Sequence, residues 1–86
     1  MKSMAEEKPI GEVIHYYGKI GVAVVKFSSA VKVGEMIKFK GTHADFTQKI
    51  DSMQYDHKDI DGAKKGQEVG MKVEQKVHEG DKVFEV

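Results

Sequence analysis

One pattern recurs three times along the chain. It is Val31-Lys32-Val33-Gly34-Glu35-Met36-Ile37, then Ala63-Lys64-Lys65-Gly66-Gln67-Glu68-Val69, then Val77-His78-Glu79-Gly80-Asp81-Lys82-Val83. Each copy reads apolar, two variable residues, Gly, polar, one variable, apolar. Glycine takes positive φ without a Cβ clash, so it suits a tight corner ahead of a strand. The apolar residues flanking each corner can then drop into one core. A chain that makes this corner three times in 86 residues is expected to close into a small β-barrel.

Composition agrees with that expectation. Val and Ile are abundant and Leu is absent, and β-branched side chains favour the pleated surface of a strand. A chain of this length forms one domain and buries roughly 60–65% of its unfolded surface, enough for one core. The expected organisation is a flexible arm over 1–8 and a barrel over 9–86. Without cysteine, disulfides and thiolate metal sites are excluded. No apolar run approaches the roughly 20 residues of a membrane span, and the first eight residues lack the apolar stretch of a secretory signal. A cytoplasmic protein, off the membrane, is the expectation. All 14 basic residues are Lys, against 14 acids. Seven Lys and four acids fall in residues 1–43, and seven Lys and ten acids in 44–86, so the first half is mildly basic.

Pro9 favours an extended entry to a first strand, Ile10 to Tyr17. Gly18-Lys19-Ile20-Gly21 reads as a short hairpin connection. The second strand, Gly21 to Phe27, is apolar on both faces, with Ala23, Val25 and Phe27 on one and Val22 and Val24 on the other. In the third, Glu35 to Lys40, Ile37 and Phe39 oppose Met36, Lys38 and Lys40. Phe46 to Tyr55 is expected as one long strand whose slipped alternation is repaired by a bulge near Asp51-Ser52. Asp56 to Gly62 reads as a polar connection. Glu68–Val73 and Lys82–Val86 complete a count of six strands.

In order and spacing these pieces resemble the second domain of the translational GTPases, the β-barrel that follows the G domain in elongation factors Tu and 1A. Ile10-Gly11-Glu12-Val13 is similar to the opening strand and Gly18 to Val25 to the first hairpin. Val31 to Ile37 resembles the family's "VKxGDxV" corner. Ile50-Asp51-Ser52-Met53 with Ala63 to Gly70 resembles its "IxxM…A..G..VG" signature, and Val77 to Val83 its closing step. A related barrel ends the U32 peptidase-like proteins, some of which act in tRNA modification. The resemblance implies a six-stranded closed Greek-key-like barrel that contacts tRNA or ribosomal RNA. It does not imply GTP binding, because the chain has no Gly-x4-Gly-Lys-Ser/Thr loop and no Asn for a guanine reader. Ser52 stands where the family often has Glu beside the aminoacyl end of tRNA.

No constellation spells out a reaction. His15, His43, His57 and His78 share no compact ligand spacing, and Ser28 and Ser29 lack an activating elbow. No catalysis, metal or cofactor is therefore expected. Candidate contacts for RNA or a partner fall in two places. Lys38 and Lys40 with the loop Gly41 to Gln48 could hold a phosphate backbone, with His43 or Phe46 as a stacking plate; the simpler reading of Phe46 is that it packs in the core. Tyr16 and Tyr17 flank the first hairpin beside Lys19, and alternation sends one of the pair outward. The expected function is a non-catalytic module binding RNA or the translation or tRNA-modification apparatus. The competing reading is a protein-interaction barrel, an accessory subunit or self-associating unit with no nucleic-acid role. Zero net charge and the outward apolar positions Val22, Val24 and Met36 favour it.

Overall fold

The computed structural model describes residues 8–42 and 44–86. The expected N-terminal arm falls, apart from Lys8, outside the described residues. Among these, regular structure is β-strand alone, and no helix is long and apolar enough to cross a membrane. There are ten strands: β1 Gly11–Tyr17, β2 Val22–Phe27, β3 Val31–Lys32, β4 Met36–Lys40, β5 Asp45–Lys49, β6 Met53–Tyr55, β7 Lys58–Ile60, β8 Gly62–Ala63, β9 Glu68–Lys72 and β10 Lys82–Glu85. Eight form one antiparallel sheet in the order β5-β4-β10-β1-β2-β9-β6-β7, and β3 pairs with β8.

The three corners form as the sequence implies. Glu35 N–H donates to Lys32 O, Gln67 N–H to Lys64 O and Asp81 N–H to His78 O, at 3.0–3.2 Å. Each is a four-residue turn with glycine third, at φ 101°, 86° and 93° for Gly34, Gly66 and Gly80, the position where a type II turn requires positive φ. Each glycine N–H then reaches a carbonyl of another segment: Gly34 to Ile50 O, Gly66 to Phe27 O and Gly80 to Val13 O, at 2.6–2.8 Å. The flanking residues Val31, Ile37, Ala63, Val69, Val77 and Val83 all enter the core. Nothing lies within 4 Å of a Cβ built on any of the three glycines, so alanine there meets only a backbone penalty. Gly34→Ala, Gly66→Ala and Gly80→Ala are each expected to cost about 1–2 kcal/mol, adding when combined. Gly70→Ala, at a position without positive φ and with its nearest neighbour 3.6 Å away, should be close to neutral. Urea titration of the four variants checks the contrast.

The inward face of the second strand is Ala23, Val25 and Phe27, fully buried, while Val22 and Val24 are half-buried on the outside. Ile37 and Phe39 point inward and Met36 outward, as alternation requires.

Three expectations are corrected. First, the segment Phe46 to Tyr55 is not one bulged strand. β5 ends at Lys49 and pairs with β4, whereas β6 begins at Met53 and pairs with β7 and β9. Ile50, fully buried, bonds to the first corner through both its N–H and its carbonyl. The slip in alternation is this change of partner. The ladder irregularity lies instead in β1, between Val13 and His15. Second, the polar connection at 56–62 is a hairpin followed by β8. Tyr55 faces Lys58 across the adjacent pair Asp56-His57, whose φ values are 55° and 64°. Two positive values in sequence are what a type I′ hairpin turn demands, and Asp and His tolerate them better than most residues.

Third, the sheet is not a closed six-stranded ring but an open half-barrel. No ladder joins β5 to β7. On the β5 side a single side chain bridges toward β9. The buried Gln48 amide donates from Nε2 to Lys72 O at 2.9 Å, and its Oε1 accepts from Glu74 N–H at 2.8 Å. A residue of a parallel strand centred opposite Val73 would bond the same two groups.

Candidate functional site

The cross-strand register lays one row of charge over six strands of the outer face. It reads Asp45, Lys40, Lys82, Glu12, Lys26, Glu68, across β5, β4, β10, β1, β2 and β9. All six side chains are exposed. Lys82 Nζ lies 3.2 Å from Glu12 Oε1, and Lys38 Nζ lies 4.0 Å from Asp45 Oδ1. Exposed pairs of this kind contribute little to stability. Their consequence is a patterned, solvated outer surface in which Lys40 and Lys82 stand side by side.

Along that row lies a hollow of about 300 Å³. The irregularity after Val13 leaves Ile14 half-buried on one side of it. The Gly66 corner, tied to Phe27 O, brings Lys65 over its rim. Lys26, Lys82, Glu12 and Ser28 complete the polar edge. Residues from 9 to 82 meet here, so no local motif announces the site. The only sequence hint is the pair Lys64-Lys65 inside a corner.

The candidate residues named from the sequence do not form one site. Lys38 and Lys40 share the outer face of β4, Lys38 half-buried and Lys40 exposed beside Lys82. Phe46 is corrected as a stacking plate. It is buried and stacks on Phe39 with centroids 5.1 Å apart, because alternation along β5 turns it with Gln48 into the core. His43 lies outside the described residues. Tyr16 packs half-buried against the core, while Tyr17 is 49% exposed. The Tyr17 ring lies 4.3 Å from that of His15, and His15 Nδ1 is 3.1 Å from Glu79 Oε2 in the third corner. Lys19 is exposed in the hairpin turn. Glu12 is nearly level with Lys40, and Tyr17 sits five residues further along β1. The two groups therefore stand roughly 20 Å apart. Among the described residues no three His, Asp or Glu are placed to hold a metal ion.

No family model matches the chain. It is 40% identical over 76 residues to an uncharacterized protease of Methanocaldococcus jannaschii, covering 87% of this chain and 19% of that protein. It is 30% identical over 77 residues to a collagenase of Porphyromonas gingivalis, covering 87% of this chain and 21% of the other. The chain thus spans about a fifth of the length of these relatives. Two crystal structures of the C-terminal domain of a putative U32 peptidase from Geobacillus thermoleovorans share its fold. One, a selenomethionine variant, has a TM-score of 0.85 at 25% identity and covers 91% of this chain and 99% of that one. The other has a TM-score of 0.85 at 22% identity and covers 100% and 99%. Of the two likenesses drawn from the motifs, the one to the barrel ending U32 peptidase-like proteins is the one these comparisons bring out.

Proposed function

We propose that this chain is a non-catalytic module of the U32 peptidase C-terminal type that contacts RNA through the lysines of its outer face. The observation that carries the reading is that face. Lys26, Lys38, Lys40, Lys65 and Lys82, spread over more than half of the sequence, come onto β4, β10, β2 and the second corner, against Asp45, Glu12 and Glu68. The resemblance to the barrel of elongation factors Tu and 1A supports it, since that barrel contacts tRNA or ribosomal RNA. The likeness to a domain crystallised apart from the rest of its protein supports a module that serves a larger body, in the same chain or in trans. The protease and collagenase activities named for the relatives then belong to the four fifths of those proteins that this chain does not span. No cofactor and no GTP enter this role, and its place is the cytoplasm.

Titration of labelled tRNA and of a ribosomal RNA fragment from 50 to 300 mM salt tests the reading. Five lysine–phosphate contacts imply a log–log slope of about −3.5 on a single strand. Undetectable binding at 50 mM salt sinks it. The competing reading, a protein-docking barrel, draws on exposed apolar side chains at Met36 (48%) and Val86 (75%). Co-elution with a U32-type body lacking its own C-terminal domain, without RNA binding, would favour it.

A further inference from the structure

The hollow over β1 and β2 calls for a ligand with one apolar side and one anionic side. Pro9 and the half-buried Ile14 supply the apolar wall, and Lys26, Lys65 and Lys82 the cationic rim. The acid at the edge, Glu12, is paired with Lys82 at 3.2 Å. Among the described residues Lys26 and Lys65 enter no ion pair. The rim therefore holds excess positive charge beside an apolar wall.

We infer that this hollow is a nucleotide site for single-stranded RNA, with a base or ribose against Ile14 and Pro9 and backbone phosphate at Lys26, Lys65 and Lys82. The inference rests on the RNA reading above and assigns that reading a place. Two features favour a single strand. About 300 Å³ is the scale of a small-ligand pocket, suited to one splayed nucleotide and too confined for a base-paired one. The rim is also not isolated. Lys82 adjoins Lys40 across the β10–β4 ladder, and Lys26 lies two strands away on the other side. From Lys40 to Lys26 the track runs roughly 14 Å, long enough for more than one phosphate of an extended strand. Lysine grips phosphate as a point charge with no demand for a planar fork, so a track of lysines fits a backbone read without regard to sequence. An acidic peptide shares the charge but lacks a flat ring for the apolar wall.

The test uses the full chain with four probes: a labelled ten-nucleotide single-stranded RNA, the same sequence as a duplex, a ten-residue poly-glutamate and inorganic phosphate. The triple variant Lys26→Gln/Lys65→Gln/Lys82→Gln is compared with Lys58→Gln/Lys72→Gln/Lys76→Gln, which removes the same charge elsewhere. Circular dichroism establishes that both fold. The wild type is expected to bind the single strand at least tenfold more tightly than the duplex or the peptide, and to bind inorganic phosphate only weakly. The rim variant should lose at least tenfold in affinity for the single strand at 100 mM salt. Its salt slope should be shallower by about 2, while the control changes less than threefold. Equal losses in both variants would place the RNA elsewhere and leave the RNA reading standing. Tighter binding of the duplex or the peptide overturns the single-strand assignment. Failure of the wild type to bind any RNA ends both.

Discussion

Replacing Gln48 with leucine is expected to destabilise the protein by about 2–4 kcal/mol, a larger loss than any of the three corner glycines should give. The side chain is buried, and its amide is the partner of both Lys72 O and Glu74 N–H. Leucine fills similar space but leaves both backbone groups facing an apolar side chain. An orphaned buried group costs about 1–3 kcal/mol, and two part-buried bonds are lost here, which puts the sum in the lower part of that doubled range. For a domain of this size the melting temperature should fall by roughly 10–30 °C. Thr47→Ala, at the exposed neighbouring position, should change stability by less than about 0.5 kcal/mol. A Gln48→Leu variant as stable as the wild type would mean that the gap beside β5 is held by something other than this amide.

That residue marks the limit of what periodicity reveals. The corners were legible because each is local: a glycine that must take positive φ, with apolar residues three before and three after it, all of which end in the core. The apolar faces of β2 and β4 were legible for the same reason, since alternation needs only neighbours in sequence. Closure was not. Whether a ring of strands meets depends on which segment Gln48 faces 24 and 26 residues later, and a glutamine in a polar loop looks like any other. The segment from Phe46 to Tyr55 shows a different failure. A bulge and a change of partner both shift the alternation phase, so the slip at Asp51-Ser52 was visible and its cause was not. Asp56-His57 was missed because the strongest hairpin signals carry glycine in the turn. Beyond the pair Lys64-Lys65 the hollow left no mark in the sequence, since Lys26 and Lys82 meet only through register and Lys65 joins them through the Gly66 bond to Phe27 O. Phe46 had two readings, stacking plate or core, and its two-residue spacing from the buried Gln48 decides for the core, since alternation turns both inward.

The same dependence on register makes Gly41→Ala a severe substitution at a glycine without positive φ. Gly41 stands one step beyond the Lys40–Lys82 pair, next to Asp81, and that step turns both residues from the outer face to the inner one. Asp81 is 5% exposed, and its Oδ2 accepts a hydrogen bond at 2.9 Å from the His78 N–H that opens the third corner. Gln67, half-buried, plays the same part for Lys64 N–H in the second corner through a more exposed bond of 2.8 Å. A Cβ on Gly41 would overlap the Asp81 carboxyl group. That group is fixed by its bond to His78 and cannot swing aside without leaving the turn N–H unpaired. Hydrogen bonds to a charged group contribute about 1.5–3 kcal/mol, and part of the loss is offset because alanine restricts the unfolded chain by about 0.4–1 kcal/mol. Gly41→Ala is therefore expected to cost about 2–4 kcal/mol once the clash is added. The decisive measurement is a double-mutant cycle with Asp81→Ala. With the carboxylate gone, the three atoms nearest to a Cβ at 41 are removed, so the double variant should be little worse than Asp81→Ala alone. A coupling of about 1–3 kcal/mol is then expected, and simple additivity of the two substitutions would show that Gly41 is not there to make room for Asp81.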